Sequence, residues 1–92
     1  KITGGVIVKK IAINPAFEFI YNENDTVTIF DENMTVIYSL DNIGTSILRL
    51  LEKPINEKSL LEKARKRFSN VNIIEFNDFI TQLKAKQIAI EV

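Results

Sequence analysis

Phe17, Phe19 and Tyr21 alternate with Glu18, Ile20 and Asn22, and this two-residue period predicts a strand. Asn22-Glu23-Asn24-Asp25 is a turn cluster. The β-branched run Thr26 to Phe30 follows as a second strand, and Asp31-Glu32-Asn33 closes a hairpin onto a third, Thr35 to Leu40. Ile7 to Ile13 can supply one more. Past residue 42 the period changes. Ile43, Ile47, Leu50 and Leu51 fall at i, i+4, i+7 and i+8, the stripe of an amphipathic helix, with Asp41 or Asn42 as its N-cap. Pro54 ends it. Asn56 caps a second helix that buries Leu60, Leu61, Ala64 and Phe68, and Ser69-Asn70 breaks that helix. A third starts near Ile74 with Phe76, Phe79, Ile80 and Leu83 on its inner face, and Ile88 to Val92 is extended.

This order predicts an α+β fold, winged-helix-like, with a small antiparallel three-stranded sheet packed on three helices. Residues 1–92 are expected to form a single module, residues 1–13 being an N-terminal extension or an extra strand. A length of 92 residues, with 46% hydrophobic and 26% charged, suits one small core and argues against disorder.

Charge and composition remove several function classes. Twelve basic and twelve acidic side chains balance, which weighs against a nucleic-acid partner. They are unevenly spread: residues 1–46 hold three basic and six acidic groups, net −3, and residues 47–92 hold nine and six, net +3. The chain has no Cys and no His. That excludes disulfides, thiolate or imidazole metal sites and a His general base. The sequence contains no apolar run long enough for a transmembrane helix and no phosphate-binding Gly loop. These features predict a cytoplasmic, non-catalytic protein without a cofactor or metal. Asp31-Glu32 is a carboxylate pair, but in a turn, where sequence neighbours need not converge.

Four segments in sequence carry a resemblance. Asn14-Pro15-x-Phe17 precedes the hairpin, and Tyr38-x-Leu40-Asp41-x-x-Gly44-x-x-Ile47-x-x-Leu50-Leu51 follows it. The second helix has Asn56-Glu57-x-x-Leu60-Leu61, and Glu75-Phe76-x-x-Phe79-Ile80-x-x-Leu83 leads into Ile88. Over roughly residues 14–92 this resembles the PqqD-like family, comprising coenzyme PQQ synthesis protein D and the related RiPP recognition elements. Asp41 stands where the family has Asn, and both cap helices. Gln87 stands where Gly usually ends the third helix, a left-handed position that favours Gly.

The resemblance implies a function. A family member binds the leader segment of a ribosomally made precursor peptide, which adds as a strand to the edge of the third strand and lies in the groove against the third helix. The partners implied are that precursor peptide and a modifying enzyme, such as a radical SAM protein, a cyclase or a leader protease. On this chain the implied site is the backbone of Thr35, Val36, Ile37, Tyr38 and Ser39, a segment without Pro, Gly or charge. The third helix would add Ile74, Asn77, Asp78, Thr81 and Lys84, the residues off its inner face. The competing expectation is that the strand at Ile7 to Ile13 covers this edge.

Two other functions compete. A winged-helix DNA-binding regulator would insert the third helix in the major groove, but Glu75 and Asp78 at its start would face phosphates. A protein–protein scaffold would bind partner enzymes and not the leader. Lys63-Ala64-Arg65-Lys66-Arg67 is the one basic cluster. Glu62 can neutralise Lys66 at i, i+4, leaving a solvated face; docking to an acidic patch on a partner enzyme is the alternative.

Overall fold

A computed structural model describes residues 9–92. The elements run β1 (Ile11–Ile13), β2 (Glu18–Tyr21), β3 (Val27–Phe30), β4 (Val36–Leu40), α1 (Asn42–Leu50), α2 (Glu57–Arg67), α3 (Ile73–Ala85) and β5 (Ala89–Glu91). The fold is α+β, as the change of period predicts: β2, β3 and β4 form an antiparallel sheet in that order, beside three helices.

β1, the described part of the strand expected over Ile7 to Ile13, does not cover β4. β1 pairs antiparallel with β5 in a separate two-stranded sheet. Its other side is taken by Ile55, which exchanges backbone hydrogen bonds with Ile11, and by the Leu51 carbonyl, which accepts from Ile13. The part of the expected strand at Ile7 and Val8 lies outside the described residues.

Alternation places Val27 and Ile29 of β3 inward, both with no exposed area, and Leu40 beside them. Against this face pack Ile47, Leu48 and Leu51, Leu60 and Ala64, then Phe76, Ile80 and Leu83 of α3; Ile11, Ile88 and Ala89 close the core. Each helix starts on a side-chain cap. Asp41 accepts from the Gly44 amide at 2.8 Å and Asn56 from Ser59 at 2.8 Å. Asn72 accepts from Ile74 at 2.8 Å, so α3 begins one residue earlier than its apolar stripe suggests.

Both hairpins use one design, a turn closed by a left-handed residue. Asp25 (φ 59°) ends the first and Met34 (φ 60°) the second. Asp31 is consumed in the second turn: its carboxylate accepts from the amides of Asn33 and Thr35, both at 2.9 Å. The Asp31-Glu32 pair is thus turn chemistry. Gln87 is also left-handed (φ 60°), so the geometry that usually calls for Gly is kept without it.

Candidate functional site

β4 is an edge strand: among the described residues it pairs with β3 alone. Which of its backbone groups face outward follows from the alternation of antiparallel ladders, in which opposed residues exchange both hydrogen bonds or neither. At the turn, the Asp31 amide donates to the Thr35 carbonyl at 3.0 Å, and the Thr35 amide is held by the Asp31 carboxylate. Thr35 therefore precedes β4 and has both backbone groups spent. The next pair, Phe30 and Val36, is a non-bonded one, so the Val36 amide and carbonyl face the open edge.

The same parity counted from the first turn reaches the other end of β4. The Asn22 amide donates to the Thr26 carbonyl. Tyr21 and Val27 are then non-bonded, and Ile20 and Thr28 bonded. Thr28 spends its groups on β2, which leaves Ser39, opposite it on β4, facing outward. Tyr38 sits opposite Ile29 and turns its groups toward β3. Between these positions the register slips: Ile29 faces Tyr38 but Phe30 faces Val36, so Ile37 is the unpaired residue of a bulge. The bulge lets Ile37 and Tyr38, adjacent in sequence, both pack against the core, while Val36 is 54% exposed.

α3 lies alongside this edge. The Lys86 ammonium is 5.1 Å from the centre of the Tyr38 ring. Phe79 of α3 packs over Gly44 of α1: a Cβ there would sit 3.3 Å from Phe79 Cζ, from Leu40 Cβ and from the Asp41 carboxylate. Gly44 therefore permits the close approach of the half-buried Phe79 ring to the end of β4. Beyond Asp41 the edge runs into a cleft of about 260 Å³, with Ile43, Ile47, Val71 and Phe79 as apolar walls and Asp41 and Glu75 as carboxylates.

The α3 residues expected from the sequence divide between two flanks. Phe79 and Lys86, which contact the β4 side, share a stripe with Glu75 and Gln82, at i−4, i+3 and i+7 relative to Phe79. Asp78 borders it. Ile74, Asn77, Thr81 and Lys84 form a different stripe. On that side Lys84 pairs with Glu57 of α2 at 2.8 Å, and Thr81 donates to the Asn77 carbonyl of its own helix. A helix has two solvent flanks, and discarding the core positions does not tell them apart. Gln82 and Lys86, which the periodicity left unassigned, fall on the Phe79 flank; the signal for Lys86 is its i+7 relation to Phe79.

At the other edge of the sheet, burial raises the Tyr21 pKa, Glu52 adds to the rise, and the Arg49 guanidinium, 3.9 Å above the ring, opposes it. The Tyr21 hydroxyl is buried without a hydrogen-bond partner among the described residues. No group of three or more carboxylates converges as a metal site among them, and no helix is long and apolar enough to cross a membrane.

No protein-family model matches the chain, and no curated protein matches it. Among solved structures, the chain is similar to TbiB1 in complex with the TbiA(beta) leader peptide. The TM-score is 0.69 at 20% identity, covering 85% of this chain and 93% of that one. At this identity the likeness establishes the shared fold.

Proposed function

We propose that this chain is a non-catalytic recognition element of the RiPP type. It binds the leader segment of a ribosomally made precursor peptide by strand addition to β4 and presents the rest of that peptide to a modifying enzyme. The observation that carries the reading is the outward-facing backbone of Val36 and Ser39 on a strand without charge that pairs, among the described residues, with β3 alone. The fold shared with a protein solved with its leader peptide supports it, and so does the PqqD-like residue pattern from Tyr38 to Leu51.

In this reading the leader takes the place of a fourth strand. Backbone bonds to Val36 and Ser39 supply affinity without reading sequence. Selection falls to side chains that enter the groove beside Phe79, Gln82 and Lys86 and the cleft beyond Asp41. Asp78, Ile37 and Tyr38 shape the groove's margins; Ile74, Asn77, Thr81 and Lys84 stay outside it. Glu75 and Asp78 are exposed on the first turns of α3, where a DNA reader would meet phosphates, and this favours a peptide over a nucleic acid.

The test is a titration of the full chain with a labelled leader peptide from the precursor encoded beside it, with the matching core peptide and duplex DNA as controls. Saturable binding at about micromolar affinity or tighter, by the leader alone, is expected. A folded chain that ignores the leader, or prefers DNA, refutes the reading.

A further inference from the structure

The basic cluster of α2 does not form the neutralised face that its sequence predicts. Among the described residues the one ion pair is Lys84 with Glu57, and Glu62 makes none with Lys66. Residues 1–8 contain no carboxylate that might supply a partner. Lys63, Lys66 and Arg67 fall at i, i+3 and i+4 on one flank of α2 beside the buried Leu60 and Ala64, and all three are exposed. They share a cleft of about 410 Å³ with Arg49 of α1, with Leu50 and with the Asp25 carboxylate. Four cations against one carboxylate leave the cleft at net +3. Arg49 is held in place by its stacking on Tyr21.

We propose that this cleft docks an acidic polypeptide segment, a loop or helix end bearing several carboxylates on the surface of the modifying enzyme. Only the identity of that partner rests on the function proposed above; the chemistry of the cleft does not. Four convergent cations facing a single carboxylate focus a positive field that a carboxylate-rich segment relieves. Leu50 offers apolar contact of the kind a protein side chain uses. The cleft is short and carries its own carboxylate, and the chain as a whole has no positive surplus, features that fit a peptide segment better than a nucleic-acid backbone.

Its position suits simultaneous binding. Tyr21 and Asp25 belong to the β2 side of the sheet, whereas the leader edge is β4, on the far side of β3. A partner seated here leaves β4 free.

The test uses the full chain and a short labelled peptide of alternating Glu and Gly, followed by fluorescence anisotropy at low and high salt. A Ser-Gly peptide and single-stranded DNA of equal charge are the controls. Saturable binding of the acidic peptide is expected, weakened by salt and by roughly tenfold or more in Lys63→Glu/Arg67→Glu. Lys53→Glu/Lys58→Glu, which makes the same change in net charge outside the cleft, should bind within about twofold of the parent. Equal loss in both double variants, stronger binding of DNA, or no binding overturns the proposal. So does a low-salt dimer abolished by Lys63→Glu/Arg67→Glu, which would make a second copy the occupant. Leader binding, measured in parallel, should survive in Lys63→Glu/Arg67→Glu. If leader binding fails while the acidic peptide still binds, the proposed function falls and the cleft assignment stands.

Discussion

A proline at Ser39 separates strand addition from every other way a peptide could bind this face. Among the described residues the Ser39 amide is not used by the fold, because Thr28 opposite it is engaged with Ile20 of β2. Edge strands tolerate proline where the lost N–H points to solvent, and Tyr38 before it is already extended, as a residue preceding proline prefers. The folded chain therefore loses no ladder bond. The complex loses one amide–carbonyl bond, worth about 0.5–1.5 kcal/mol, and strands the peptide carbonyl that it served, at a further cost of about 1–3 kcal/mol. The sum of about 1.5–4 kcal/mol weakens binding roughly ten- to several-hundred-fold. Ser39→Ala removes the same hydroxyl but keeps the amide, and should bind within about twofold of the parent. The assay is leader-peptide anisotropy, with a thermal melt of each variant to show that it is folded. A folded Ser39→Pro chain with parental affinity refutes the edge assignment. Ile37→Pro is a weaker probe, since Ile37 is the bulge residue and its substitution perturbs the strand as well as the edge.

Three further outcomes are expected. Lys86→Ala should weaken leader binding several-fold while Lys84→Ala leaves it unchanged, because Lys86 lies over Tyr38 and Lys84 is turned to Glu57; the exposed pair itself is worth at most about 0.5 kcal/mol in a denaturation experiment. Gln87→Gly should raise stability by up to about 1 kcal/mol, read as a higher melting temperature, since it relieves a left-handed side chain and keeps the backbone bonds to Lys84 and Asn14. Tyr21→Phe should also stabilise, by up to about 1 kcal/mol, because it removes a buried hydroxyl without a partner. Its pH profile carries a sign: the Tyr21 pKa is raised in the folded state, so its contribution is complete below the ordinary value of 10.0 and fades as pH climbs through the raised one. Stability of the parent should therefore fall above pH 10.0 more steeply than that of Tyr21→Phe, as followed by urea midpoints.

The elements were legible because burial imposes periods. Val27 and Ile29 in a strand, or Phe76, Ile80 and Leu83 in a helix, are spaced by the backbone that buries them. Caps were legible as well: Asp41 and Asn56 bond the amides expected of them. Partner choice was not. Nothing in Ile11-Ala12-Ile13 distinguishes pairing with β5 from pairing with β4, since both are apolar and extended; Leu51 and Ile55, brought to the other side of β1 by the α1–α2 turn, help fix it there. The bulge at Ile37 was equally hidden, because an apolar run such as Val36-Ile37-Tyr38 shows no break in alternation when two successive residues turn inward. That slip decides which amides face outward, so within the expected Thr35–Ser39 segment the proposed strand addition would rest on the backbone of Val36 and Ser39.

The bulge also bears on why an uncharged edge can be left open. Unpaired edges invite copies of the same strand to add, and proteins commonly guard them with charge or proline. β4 has neither between Val36 and Leu40. Its protection is geometric: the extra residue at Ile37 separates the outward amides of Val36 and Ser39 by three positions where an unbroken strand would separate them by two. A second β4 carries the same slip and cannot match both pairs in a regular antiparallel ladder, whereas a flexible peptide can bend across it. The feature that makes the edge awkward for self-pairing thus leaves it usable by a short, adaptable strand. Filling the slip by deleting Ile37 should convert the edge from a peptide site into an aggregation site. Loss of monomer in sedimentation, alongside loss of leader binding, is the expected signature; a monomeric deletion variant that still binds the leader would show that the bulge serves neither purpose.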